Sequence, residues 1–210
     1  GVDRDLKDAR RLFQRSCEAA LQLGCYNLAA MELVGEGGAV LVKAAAGRLL
    51  NACKASEAVA CTLLGTLHID GRGVAKDPAR AMGLFHRACR GGDGGGCYNL
   101  AQGHRQGIAG EPDSRKAASF YAKACKGASP GGCGWLGVLL QTGEGVKQNV
   151  AEGAALLETS CKLGFYEGCY NLAIANAKGL GVPKDIAKAR RLMQLACAQG
   201  LRAACRRIKP

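Results

Sequence analysis

Apolar and polar positions along this chain recur in steps of four residues, and the whole pattern returns every 36 residues without an insertion or deletion. Each block opens on a short polar residue at Asp5, Asp77, Asp113, Asn149 and Asp185, with Leu41 the exception. Four residues on stands a small residue (Ala9, Ala45, Ala81, Ala117, Gly153, Ala189), then a bulky one (Phe13, Leu49, Phe85, Tyr121, Leu157, Met193), then a cysteine. Steps of four fall on one face of an α-helix, so each block predicts an amphipathic helix, here called helix B, with its polar opening residue at or near the N-cap. A second stripe begins at a second cysteine and runs through Leu28, Leu64, Leu100, Leu136, Leu172 and Ile208. It predicts helix A, closed by Gly35, Gly71, Gly107, Gly143 and Gly179, because glycine adopts the backbone conformation that ends helices. Nothing alternates with period two, so no strand is expected. The fold class is all-α, a repeat array in which each unit contacts only its neighbours.

The cysteines change the picture most. They pair at a constant spacing of eight: Cys17 with Cys25, Cys53 with Cys61, Cys89 with Cys97, Cys125 with Cys133, Cys161 with Cys169 and Cys197 with Cys205, which uses all twelve. A continuous helix would hold two such cysteines roughly 12 Å apart, whereas a disulfide needs Cα atoms within about 7 Å. The chain must therefore double back between them, and the glycines in the interval (Gly24, Gly91, Gly92, Gly96, Gly127, Gly132, Gly164, Gly168, Gly200) are expected to supply the turn. Each bond then staples a helix B to the next helix A, worth about 2.5 kcal/mol in the loop-entropy treatment. Spacing eight does not suit structural zinc, and no Cys-x-x-Cys is present for redox or haem chemistry. Disulfides imply an oxidising compartment, the periplasm or beyond.

At 210 residues with an unbroken period, the chain is expected to be a single repeat domain, 1–210, of about six helix-turn-helix units. It is expected to open within a helix B and to end in a short helix after Cys205. No signal peptide is visible; since the helical pattern is already running from Asp3 to Ser16, a leader or earlier repeats are expected upstream. No apolar run is long enough to span a membrane. The net charge of +12 favours acidic partners. However, residues such as Lys7, Arg10, Arg11 and Arg15 sit at helical spacing, which fits a solvated outer face, and no nucleic-acid motif or aromatic-flanked basic run appears. No nucleic-acid partner is expected.

The block LGTLHIDGRGVAKDPARA from Leu64 to Ala81, and GLGVPKDIAKA further on, resemble the Sel1-like repeat, a longer-period relative of the tetratricopeptide repeat. With the cysteine pairs added, the chain resembles the Helicobacter cysteine-rich protein family. The resemblance implies a right-handed α/α solenoid with helix A lining the concave side, export from the cytoplasm, and interaction with other proteins. It also implies, as an alternative, weak β-lactamase or penicillin-binding activity. Two departures stand out. Where an aromatic usually follows the leucine by four residues, this chain has Glu32, His68, His104, Leu140 and Asn176, which predicts looser packing along that stripe. The second unit, GEGGAVLVKAA, lacks the Asp cap and places Arg48 where other units have mainly Leu.

No Ser-x-x-Lys supports a serine hydrolase, and Ser16 and Ser160 stand in a column otherwise filled by alanine, which suits packing. His68, His86 and His104 form no metal motif; packing is the expected role. No catalytic residue, metal or cofactor is expected. The remaining signal is the tetrad Tyr-Asn-Leu-Ala, which occurs three times on helix A. In related repeats the residue before the leucine faces the concave groove, where an Asn amide can bond a peptide backbone as donor and acceptor. By that resemblance Asn27, Asn99, Asn171, Trp135 and Tyr98 are candidate ligand contacts, with Arg105 and Arg72 as anion anchors. The expected function is a monomeric interaction or scaffold module that binds an extended peptide or a peptidoglycan-derived ligand.

Overall fold

The computed structural model describes residues 5–208, and these form twelve α-helices and no strand. The B helices are α1 (Leu6–Glu18), α3 (Val42–Lys54), α5 (Pro78–Arg90), α7 (Ser114–Lys126), α9 (Val150–Lys162) and α11 (Ile186–Ala198). The A helices are α2 (Gln22–Val34), α4 (Ala58–Asp70), α6 (Gly94–Gln106), α8 (Pro130–Thr142), α10 (Tyr166–Lys178) and α12 (Arg202–Ile208). The first helix starts at Leu6 behind its Asp5 cap; Asp3, where the helical pattern was expected to begin, lies outside the described residues. The chain divides into two compact units, Gly1–Asn99 and Leu100–Pro210, with the boundary inside α6.

The turn from B to A explains the cysteine spacing. Every helix B ends in a Schellman motif: the amide N–H three residues after the first cysteine donates to that cysteine's carbonyl, and the next N–H donates to the carbonyl of the residue before it. Gly92 to Cys89 (3.1 Å) and Asp93 to Ala88 (3.1 Å) are one such pair, and all six turns repeat it. The turn has a fixed length, so the fourth residue of helix A always returns beside the first cysteine. All six disulfides form as expected, with Cα atoms 4.4–4.7 Å apart, and no described cysteine is free.

Two expectations about this turn need correcting. Helix A begins three residues before its cysteine, so α12 starts at Arg202 and contains Cys205. The left-handed residue is also not always glycine: Gly92, Gly164 and Gly200 take it, but so do Ala20 (φ 60°), Ser56 (φ 73°) and Ala128 (φ 58°). Gly24, Gly96, Gly132 and Gly168 lie inside helix A, where a Cβ would collide with Ser16, Ala88, Ala124 and Ser160 on helix B. These glycines therefore permit close helix approach. In the two units with alanine at this position, Ala60 and Ala204, the bonded cysteines stand 4.7 Å apart, against 4.4–4.5 Å in the other four.

The return from A to B is closed by the backbone. The N–H of each helix-B cap donates to a carbonyl in the last turn of the preceding helix A: Leu41 to Glu32, Asp77 to His68, Asp113 to His104, Asn149 to Leu140 and Asp185 to Asn176, all at 2.8–2.9 Å. The caps Asp5, Asp77, Asp113, Asn149 and Asp185 accept first-turn N–H groups through their side chains, and Leu41 does not.

Alanines and leucines fill the core. In the first unit Ala45, Leu49, Ala52, Ala60, Leu64 and Leu67 share one buried cluster. In the second, Tyr121, Leu139, Leu157 and Leu172 are each at most 2% exposed. Gly137 and Gly153 face each other there, so that α8 and α9 pack backbone to backbone; a Cβ on either would stand 2.7–2.8 Å from the other's carbonyl oxygen. Burying one leucine-sized side chain contributes about 2 kcal/mol.

The stripe expected to pack loosely is closed. Glu32, His68, Leu140 and Asn176 are all buried, and each polar one has a partner. Glu32 meets Arg48 at 2.8 Å and Arg10 at 3.9 Å. One ring nitrogen of His68 lies 3.0 Å from the Ala75 carbonyl, and the Asn176 amide donates to the Leu172 carbonyl at 2.8 Å. His104 stacks on Phe120 with ring centres 5.4 Å apart. Polar residues are tolerated in this stripe because local partners satisfy them. Ser160, fully buried, donates to the Pro130 carbonyl at 2.7 Å, a packing role.

Candidate functional site

The candidate contacts lie on helix A at the two positions before its leucine, and that leucine is driven inward in most repeats: Leu28, Leu64, Leu100 and Leu172 are at most 2% exposed, while Leu136, next to Trp135, is half-buried. One step back along a helix turns the side chain about 100° away, which leaves Asn27, Asn99, Trp135 and Asn171 half-buried at the edge of the core. Among the described residues no hydrogen bond ties any of the three Asn side chains to the protein.

In the second unit the structure brings two of the candidates together. Trp135 of α8 packs against the fully buried Tyr121 of α7 at 6.2 Å between ring centres, nearly parallel. The Arg105 guanidinium of α6 lies over the indole, 4.2 Å from its centre. Arg105 is held from the side as well, since its Nε and Nη2 both donate to Oε1 of Gln102, at 3.2 and 3.0 Å. A second cation stands over an aromatic where Arg207 of α12 covers Tyr170 of α10 at 5.4 Å. Cation–aromatic contacts of this kind contribute about 0.5–1 kcal/mol when exposed and more when desolvated. Gln102, Tyr121 and Arg207 were not singled out from the sequence. Arg207 could have been, since it shares the column of Trp135 and the asparagines. The role of Gln102 depends on which way Arg105 folds, which spacing does not reveal.

The first unit differs in charge. Tyr26 on α2 is half-buried, and burial, followed by the nearby carboxylates of Asp93 and Glu57, raises its hydroxyl above the ordinary tyrosine range. Asp93 caps α6 by accepting from the Gly96 N–H at 2.7 Å and takes the Thr62 hydroxyl at 2.5 Å. Tyr98 and Asn99 on α6 are half-buried. Arg72 is exposed on the α4–α5 loop, and its Nη2 donates to the Leu33 carbonyl at 3.3 Å, near the end of α2. That contact belongs to the loop edge of the repeat, away from the helix-A column.

A repeated pair of antiparallel helices, stapled at one end by a disulfide and closed at the other by a backbone bond, defines a helical repeat protein. The chain belongs to the Sel1 repeat family, whose pattern matches residues 1–21, 58–93, 95–129, 132–165 and 167–201. The stretch between the first two matches holds Glu32, Leu41 and Arg48, the irregular part of the first unit. Similar solved structures include three from Escherichia coli, Oxalobacter formigenes and Helicobacter pylori. A protective antigen of uropathogenic Escherichia coli with this repeat fold is 27% identical at a TM-score of 0.81, covering 97% of this chain and 44% of the antigen. A Sel1 repeat protein of Oxalobacter formigenes is 24% identical at a TM-score of 0.87, covering 95% of this chain and 82% of that one. Cysteine-rich protein B of Helicobacter pylori is 28% identical over 61% of this chain and 96% of its own, at a TM-score of 0.49. This chain therefore spans less than half the length of the E. coli antigen. No curated protein matches the chain. The fold class is an all-α solenoid, and Sel1 repeats in general are scaffolds for protein interaction.

Proposed function

We propose that this chain is an exported interaction module that binds an extended peptide segment of a partner, cell-wall-derived peptides included, along the helix-A face. The observation that carries the reading is the Arg105 and Trp135 pair, a guanidinium fixed on an indole and half-exposed among buried neighbours. In the same unit the Asn171 amide adds a donor and an acceptor suited to a backbone. Disulfides hold the helix pairs together, so that little conformational entropy is lost on binding. Export is supported by six disulfides, which persist in oxidising compartments.

The test is photo-crosslinking in cells from a reactive side chain placed at Asn171. A discrete crosslinked partner that disappears in Trp135→Ala is the expected result, and diffuse crosslinking insensitive to Trp135 would defeat the proposal. The hydrolase alternative has no observation in its favour. Purified protein is expected to turn over nitrocefin no faster than buffer.

A further inference from the structure

We infer that Arg105 is a carboxylate receptor: the outer edge of its guanidinium, formed by Nη1 and the free hydrogen of Nη2, takes a carboxylate of the bound partner in a two-pronged bond. The inference rests on the peptide-binding reading above and names the chemistry recognised at that site.

A guanidinium offers one face pair and two donating edges. In Arg105 one face is covered by the Trp135 indole at 4.2 Å, and the Nε/Nη2 edge is occupied by Gln102. Nη1 makes no bond to the protein among the described residues, and no described Asp or Glu pairs with this arginine. Arg207 over Tyr170 likewise has no carboxylate partner among the described residues, but several other arginines are engaged by the protein. Arg11 pairs with Asp8 and Arg48 with Glu32, and Arg10 shares Glu32 while donating to the Ala39 carbonyl. Arg72 and Arg87 donate to the carbonyls of Leu33 and Lys54, stitching one repeat to the next. Among the described residues Arg105 donates only to a neutral amide on its own helix, and no carboxylate stands within ion-pair distance of it.

Stacking and the Gln102 bond fix the plane of the guanidinium, which removes most of the side-chain entropy a ligand would otherwise have to freeze. Tryptophan and tyrosine behind it exclude water from one side, and a charge-assisted bond is stronger where water is scarce. The geometry matches a planar carboxylate, two oxygens meeting two parallel N–H groups. Two sources supply that chemistry: the C-terminal carboxylate of a chain, or an Asp or Glu side chain within it.

Trp135 is the single tryptophan of the chain, so its emission reports on this site alone. The intact, oxidised chain is titrated with three peptides at millimolar concentrations: acetyl-Ala-Ala-Ala with a free C-terminus, acetyl-Ala-Glu-Ala amide, and acetyl-Ala-Ala-Ala amide. One or both carboxylate peptides are expected to change Trp135 emission saturably and to bind about tenfold tighter than the neutral amide. Which of the two responds identifies the source. Arg105→Gln is expected to abolish the preference. Arg105→Lys, which keeps the charge but loses the fork, is expected to weaken it about fivefold, with both variants melting as the parent does. Equal binding of all three peptides overturns the inference and leaves the peptide-binding reading standing. So does a carboxylate preference that survives Arg105→Gln. Silence from every peptide overturns the inference too, and the crosslinking at Asn171 then decides the broader reading separately.

Discussion

The first unit breaks its own pattern where the second keeps it. In the first, α3 starts at Leu41 without a side-chain cap, and the buried stripe of α2 carries Glu32 paired with Arg48. In the second, α7, α9 and α11 are capped by Asp113, Asn149 and Asp185, and the same stripe holds His104, Leu140 and Asn176. The candidate faces differ as well: the charges of Asp93 and Glu57 act on Tyr26 in one, and arginines cover Trp135 and Tyr170 in the other. What both share is backbone: the six Schellman turns, the disulfides beside them, and the bond from each cap N–H to the preceding helix A. The repeat depends on those backbone bonds, and side chains in the stripe are free to change where a backbone carbonyl or a second side chain satisfies them. Glu32 and Arg48 are two departures from the pattern that compensate each other.

The sharpest way to break this comparison is to remove half of the pair. Arg48→Ala leaves Glu32 buried with only the distant Arg10, and is expected to destabilise the first unit by about 3 kcal/mol. Glu32→Leu with Arg48→Leu restores an apolar stripe and is expected to recover most of that loss in chemical denaturation. If the double variant is as unstable as the single one, the two residues do not compensate. Next in size, replacing Cys125 and Cys133 with serine is expected to cost about 2.5 kcal/mol. Hydrogen exchange should show the loss in the second unit, with the first protected as before.

Caps come third. Leu41→Asp is expected to raise the stability of the first unit by about 1 kcal/mol, and Asn149→Ala to lower that of the second by a similar amount. A smaller gain, somewhat under 1 kcal/mol, is expected from Ala128→Gly, because Ala128 holds a left-handed φ of 58° that glycine adopts without strain. The smallest effect concerns pH. Asp113 accepts from the Lys116 N–H at 2.9 Å, and that bond, helped by the Lys116 ammonium at 3.2 Å, holds its carboxyl below the usual range. The folded chain therefore prefers the ionised form. Its contribution is complete above the ordinary carboxylate range and fades as pH falls through the lowered value. Asp113→Asn should remove that step while keeping the cap, and an ordinary carboxyl titration by NMR in the parent protein would contradict it.

Much of the architecture was legible because each signal is local. Helix B follows from steps of four between Asp113 and Cys125, and the pairing of Cys125 with Cys133 follows from a turn too short to leave them apart. The end of helix A at Gly143 follows from a glycine that takes the left-handed conformation there. The start of helix A was misplaced because Gly132 reads equally well as turn or as packing. Its collision with Ala124 exists only once two helices are side by side. The stripe of Glu32, His68 and Asn176 was misjudged for a related reason, since a polar residue in an apolar column looks like a defect until its partner is located.

For the site, the column of Asn27, Asn99, Trp135 and Asn171 was singled out by the resemblance to related repeats, and the structure leaves all four half-buried on helix A. That Arg105 should lie on Trp135, 30 positions away in the chain, could not be read in this way. The meeting depends on how far one helix A stands from the next and on the rotamer each side chain takes between them. Period, helix faces, turns and disulfide partners are properties of neighbouring residues, and the amino-acid order determined them. Which cation meets which ring, and which buried charge finds its counterion, was decided only when separate repeats packed together, because those distances run across helices and leave no periodic trace along the chain.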